Sequence, residues 1–421
     1  MPKLSSRVLS TLAIASLGTM LPASCKTPDD KPGGSATRWP GVTATEIKMG
    51  QSMPYSGPAS AYSVIGKGDI AYFKMVNDRG GIHGRKVTLL SLDDGYAPNK
   101  AVENTRKLIE GDGVALMFNS LGTTNNAAVQ KYLNDRHVPQ LFIATASERW
   151  ADPSRFPWTM GWAPSYHAEA RIYAHYLLKE MPAARLCVLY QNDDFGKDYL
   201  VGLRQGFGDK YDRFVIKTAS YEPGDPTIDS QVVSLQAAGC DALLSAVGPK
   251  FAIQAIRKVY DLGWKPVHLI TNTSVSRSAV LEKAGLDKSA GLITAGYIKD
   301  INDPKLANDP GLAEYRAFAK DYLEGLDASD ASLAYSYGVS MTMARVLLQC
   351  GDDLSRENIM RQAESLRNYQ SPVAFPGIAI NTGPADFRPI EQMRLVQFDG
   401  ISWQPIGDVI ESAFARVPND N

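Results

Sequence analysis

Ile47-Lys48-Met49-Gly50-Gln51 is a short apolar run that leads into Ser56-Gly57-Pro58, and Val76-Asn77-Asp78-Arg79-Gly80-Gly81-Ile82-His83-Gly84-Arg85-Lys86 follows some twenty residues on. Between these two stretches, Ala61 to Asp78 carries helical periodicity, and Gly80-Gly81 suit the left-handed turn after a helix end. Val87 to Leu92 then reads as a second strand. Strand, helix and strand in so few residues form a βαβ unit, which imposes parallel strands and a right-handed crossover.

Working outward, Pro98 opens a helix with Ala101, Val102, Thr105, Leu108 and Ile109 on one face. Val114 to Phe118, a helix near 125–136, and Gln140 to Ile143 extend the series. A second series follows: a helix near 165–179, then strands at 185–190, 214–220, 241–247, 267–271 and 291–295. Helices at 195–207, 228–238 and 250–262 separate its strands. Short apolar strands between helices predict parallel sheets covered on both faces. The fold class expected is α/β, with two doubly wound parallel-sheet lobes. Residues 310–367 read as mostly helical, and Gly377 to Ile380, Met393 to Phe398 and Trp403 to Ile406 as short strands that complete the first two lobes.

Composition narrows the function. The chain of 421 residues has 44 Lys plus Arg against 45 Asp plus Glu, so it lacks the basic excess that a nucleic-acid partner needs. Cys25, Cys187, Cys240 and Cys350 form no CxxC pair, which leaves no zinc ribbon. Cys187 and Cys240 open two strands; buried free thiols are expected there, with a disulfide as the alternative. His83, His137, His167, His175 and His268 show no HExxH spacing, and there is neither a GxSxG elbow nor a GxxxxGK[ST] loop. Gly66-x-Gly68-x-x-Ala71 mimics a dinucleotide fingerprint but lies inside the first helix, where it reads as close helix packing. Asp193-Asp194 reads as a helix cap rather than a metal or acid–base pair. No catalytic group, metal or cofactor is expected, and the protein is read as not an enzyme.

Lys3 and Arg7 precede the apolar run Val8 to Leu21, and small residues follow, so residues 1–24 read as a secretory signal. Residues 25–43 read as a flexible tether, with Pro28, Pro32, Gly33, Gly34 and Pro40. Leu21-Pro22-Ala23-Ser24-Cys25 is similar to a bacterial lipoprotein signal, although Pro22 departs from that pattern. Lipid on Cys25 and a plain secreted form both stay open, and a periplasmic location is expected in either case.

Ligands of open parallel sheets collect outside the carboxyl ends of the strands, beside helix N-termini. The loops in question are 52–62, 119–125 and 144–147 in the first half, all uncharged and rich in small residues and hydroxyls. In the second half they are 191–196, 248–251 and 272–274. Together they suit a small molecule with one polar end and one apolar or aromatic end.

At these loops the chain resembles the periplasmic substrate-binding proteins of the leucine/isoleucine/valine-binding type, which serve ABC importers. The likeness covers about 41–407 and rests on Ile47 to Gly50 with Ser56-Gly57-Pro58, on Val76 to Lys86, on Asp93-Asp94, and on Asn192-Asp193-Asp194-Phe195-Gly196. It implies two lobes, 44–163 with 297–376 and 164–296 with 377–415, joined by a three-strand hinge that closes on ligand. It also implies a membrane permease and an ATPase as partners of a monomeric binding protein. By the same resemblance, Gly122, Thr123, Ala146 and Ser147 hold a ligand carboxylate. Thr273 stands where amino-acid binders of this type place a glutamate for the ammonium group, which turns the expectation toward an aromatic or apolar carboxylate. Tyr62, Phe195, Phe251 and Trp162 are the candidate rings. A branched-chain amino acid or amide binder is the alternative, as is a sensor module that presents its ligand to a signalling receptor.

Overall fold

The computed structural model describes residues 39–411. The signal reading, Cys25, most of the tether and residues 412–415 lie outside the described residues. The first sheet contains β1 (Glu46–Met53), β2 (Lys86–Asp93), β3 (Leu116–Phe118), β4 (Gln140–Ile143) and β5 (Thr159–Gly161). Its order is β2-β1-β3-β4-β5, with every pairing parallel. The second sheet holds β6 (Leu186–Gln191), β7 (Val215–Tyr221), β8 (Ala242–Ala246), β9 (Val267–Ile270), β10 (Ile293–Gly296), β11 (Gln392–Phe398) and β12 (Trp403–Glu411). It is ordered β12-β11-β10-β9-β8-β6-β7. Here β6 to β10 run parallel, while β11 returns antiparallel on β10 and carries β12. This is the α/β architecture that the strand–helix alternation predicts.

The helices that set the cleft are α1 (Ser63–Asp78), α2 (Pro98–Arg106), α3 (Thr123–Asp135), α4 (Tyr166–Glu180) and α5 (Asp194–Phe207). Apolar faces drive their packing: Ile65, Phe73 and Met75 of α1 are buried, as are Ile172, Tyr173 and Leu177 of α4. The turn from α1 to β2 needs glycine. Gly81 has φ 73°, and a Cβ there would stand 2.1 Å from the Arg85 carbonyl oxygen. Gly68 packs against the helix Ala331–Gln349, where a Cβ would meet the Ser336 hydroxyl at 2.6 Å. The glycine pattern in α1 therefore serves helix packing.

Three chain crossings connect the sheets. Trp162 follows β5, Tyr297 follows β10, and Phe375 precedes the return to β11. The second and third crossings pair through an antiparallel bridge between Ile298 and Ala374, and the Phe375 N–H donates to the Tyr297 carbonyl at 3.1 Å. Trp162 is buried, donates its indole N–H to Thr342 Oγ1 at 3.0 Å, and meets Tyr297 and Tyr335 edge-on. Its role is hinge packing rather than cleft lining.

Two readings need correction. Cys187 and Cys240 form a disulfide across a sequence separation of 53, because β6 and β8 are direct neighbours and bring the two Cα atoms to 5.8 Å. The Gly377 to Ile380 run joins no sheet: Ile378 and Ile380 are buried for their apolarity, and Ile380 makes only an isolated bridge to Tyr369.

Candidate functional site

The carboxyl ends of the two sheets face each other across a cavity of roughly 180 Å3. From the first half, α3 starts at this edge after Gly122, whose φ of 100° a side chain would strain, and whose Cβ would press on the Tyr96 ring at 2.9 Å. The first-turn N–H groups of α3 have no intrahelical acceptor, and the helix dipole adds partial positive charge there. Thr123 is buried beside them, with Oγ1 2.5 Å from Thr145 Oγ1, which lies 3.1 Å from the Tyr166 hydroxyl. These hydroxyls and N–H groups can hold an anion without a cation.

Tyr62, Gly122, Thr123, Ala146, Phe195, Phe251 and Thr273 all line this cavity. Ser147 does not. Its side chain turns away and accepts from the Arg149 N–H at 3.4 Å, beside a second interlobe cavity of roughly 480 Å3. Thr145, two residues earlier, brings the hydroxyl that lines the main cleft. Asp193 also stays out: it caps α5 through the Gly196 N–H and accepts from Gln191 Nε2 at 2.6 Å. Asp194 pairs with Arg149 at 2.9 Å.

The remaining wall mixes rings with polar and charged side chains, among them Gln191, Lys250, Arg277, Lys299 and Asp300. Phe195 meets Tyr166 edge-on at 4.9 Å, and Phe251 lies 4.1 Å from Tyr221. Tyr96, Tyr297, Tyr335 and Phe375 also line the cavity. Tyr96 follows β2 at the same sheet edge and was readable by that rule. Tyr297 and Tyr335 arrive from a crossing and a late helix, where no local pattern marks them. The two halves touch across the cleft: the Tyr62 hydroxyl donates to the Thr273 carbonyl at 3.1 Å, and Arg388 Nε donates to Glu148 Oε1 at 2.9 Å.

Two buried carboxylates lie behind the walls, and neither was apparent from sequence. Asp69 accepts from Gln51, Asn119, Ser336 and Ser340; burial pushes its carboxyl up to about 6 while those hydrogen bonds pull it down. Glu169 of α4 is likewise pushed up to about 7 by burial, against hydrogen bonds from Tyr173, Tyr199 and the Asn272 N–H. Among the described residues no cluster of His, Cys, Asp and Glu could hold a metal ion, and no helix is long and apolar enough to cross a membrane.

Two parallel-sheet lobes linked by three crossings, with a ring-walled cavity between the sheet edges, define the class of two-lobed solute-binding proteins. The match of residues 46–402 to the periplasmic binding protein family model shows that the chain belongs to that family. Its fold is that of type I periplasmic binding proteins. A Leu/Ile/Val-binding protein homolog 1 from Brucella suis is 22% identical over 330 residues, covering 77% of this chain and 82% of that one. Leu/Ile/Val-binding protein homolog 3 from Brucella melitensis is 26% identical, but the match spans only 47% of this chain and 53% of that protein. A branched-chain amino acid ABC transporter protein from Thermus thermophilus, solved with bound valine, superposes with a TM-score of 0.80 at 15% identity, covering 89% and 99% of the two chains.

Proposed function

We propose that this protein is the extracytoplasmic solute-binding component of an ABC importer, closing hinge-like on a small carboxylate with an aromatic or apolar body. The observation that carries the ligand class is the cavity itself. Its volume of roughly 180 Å3 compares with the ~150 Å3 apolar cavity that accommodates benzene, so one ring with one small polar group fills it. The donors at the start of α3 suit the carboxylate, and Tyr62, Phe195, Phe251 and Tyr335 suit the ring by edge and face contact. The closing bodies are 44–163 with 297–376 and 164–296 with 377–415, turning about the three crossings. The partners are a permease and an ATPase, and the location is periplasmic, reached through the signal at 1–24 with or without lipid on Cys25.

A branched-chain amino acid is the second reading, favoured by the names of the Brucella relatives and by the bound valine in the Thermus structure. Against it stands Thr273 in place of a carboxylate: Asp300, the carboxylate that does line the cavity, already accepts from the Asn302 and Trp403 N–H groups, and a buried ammonium without a charged partner is costly. A thermal-shift screen of aromatic acids, short fatty acids, branched-chain amino acids and amides discriminates the readings, because bound ligand raises Tm by mass action. Small-angle scattering should show compaction with the hit. Tight leucine or valine binding with aromatic acids inert sinks the aromatic reading; turnover of the bound compound sinks the binding-protein reading.

A further inference from the structure

Glu169 sits directly behind the second-lobe wall of the cleft and is fully buried. Its Oε1 accepts from the Asn272 N–H at 2.8 Å and from the Tyr173 hydroxyl at 2.5 Å, whose one hydrogen is shared with the Ile270 carbonyl at 2.8 Å. Its Oε2 accepts from the Tyr199 hydroxyl at 2.7 Å and Asn272 Nδ2 at 2.6 Å. All four donors are neutral. Above about pH 7 Glu169 is ionised; an ionised carboxylate can only accept, and there this fixes the direction of every hydrogen bond beyond it.

Tyr199 has one hydroxyl hydrogen and gives it to Glu169. Thr271 Oγ1, 2.5 Å from the Tyr199 oxygen, must therefore donate to it. That leaves Thr271 without a hydrogen for Thr273 Oγ1 at 3.1 Å, so Thr273 donates back to Thr271. Thr273 lines the cavity. Its hydroxyl meets the ligand with lone pairs only. The opposite wall has the reverse polarity, because Gly122 and Thr123 bring N–H groups to the cavity.

We infer that Glu169 is a positioning residue which, through Tyr199 and Thr271, makes Thr273 a hydrogen-bond acceptor, so that the cleft selects acids bearing a hydroxyl or amine donor on the side facing the second lobe. The inference rests on the carboxylate reading above for the ligand's other end only. A ligand without the donor leaves a desolvated acceptor unpaired, which costs about a factor of ten or more in affinity.

The test is calorimetric titration at pH 8 with matched pairs that differ only in the donor: the three hydroxybenzoates against benzoate, and leucine against 4-methylpentanoate. In the native protein the best donor-bearing member should bind at least about tenfold tighter than its partner. Thr273→Val should bring that ratio close to one. Glu169→Gln should reverse it, because an amide N–H donating to Tyr199, with the Asn272 side-chain amide turned over to present its oxygen, turns the whole chain of hydroxyls round and makes Thr273 a donor. Tyr199→Phe breaks the chain and should shrink the ratio even if the Gln variant does not fold. Equal binding within a pair in the native protein, or an unchanged ratio in Thr273→Val, overturns the inference. Response from the leucine pair alone removes the aromatic reading and keeps this one; binding by neither pair overturns both.

Discussion

Replacing Glu169 with Gln should change how stability depends on pH, and the sign follows from burial. The carboxyl has an ordinary value of 4.5 and is pushed up to about 7 in the fold, because desolvation of the charged form outweighs its hydrogen bonds. Its contribution to stability is therefore fully present below about 4.5 and is lost as pH rises through about 7. That span corresponds to roughly 3 kcal/mol at about 1.4 kcal/mol per pH unit. His268 works in the opposite sense: burial lowers it to about 4, so its contribution fades as pH falls from 6.5. Both proteins keep His268, so it cancels in the difference between them. Urea denaturation of the native protein and Glu169→Gln at pH 5, 6, 7 and 8 isolates the carboxyl. The amide imposes its own hydrogen-bond penalty, which is constant with pH and offsets the curves without tilting them. Relative to the native protein, the variant should gain about 2 to 3 kcal/mol between pH 5 and pH 8. A difference that stays flat over this range refutes the assignment of a buried, ionisable Glu169 without a cation.

Three further outcomes are expected. Cys187→Ser with Cys240→Ser, or reduction of the native protein, should lower stability by about 4 kcal/mol, since the bond closes a loop of 53 residues; guanidinium unfolding with and without reductant measures it. Thr123→Ala should weaken acid binding by about 1 to 3 kcal/mol, whereas Ser147→Ala should leave it within about 0.5 kcal/mol because that hydroxyl faces Arg149, and titration of the best acid compares the two. Gly122→Ala should abolish acid binding while circular dichroism stays native, because the Cβ pushes on Tyr96 at the start of α3 and displaces the N–H groups there.

The wound lobes were legible because strand, glycine turn and helix alternate at short range, and each of those signals is local. What escaped was of two kinds. β5 holds only Thr159–Gly161, too few residues to show a period, and the buried Gly377 to Ile380 segment showed the opposite error: apolar residues can be buried without a sheet partner. The cleft loops followed from the sheet-edge rule, but the rule names a loop and not which side chain in it faces inward. The 144–147 turn presents Thr145 and Ala146 to the cavity and spends Ser147 on its own backbone.

The second kind of omission bears on specificity. Tyr297, Tyr335 and Glu169 reach the cleft or its backing from three separate parts of the chain, and their meaning lies in partners a hundred or more residues away. A sequence pattern can show that Thr273 is not a carboxylate. It cannot show that a carboxylate stands behind Thr273 and sets the direction of its hydroxyl through Tyr199 and Thr271. The charge that an amino-acid binder would place in contact with its ligand is here set back behind three hydroxyls, those of Tyr199, Thr271 and Thr273, where it acts as hydrogen-bond polarity rather than as a salt bridge. Such a wall takes a neutral hydroxyl as readily as an amine, whereas a carboxylate in contact favours the cation.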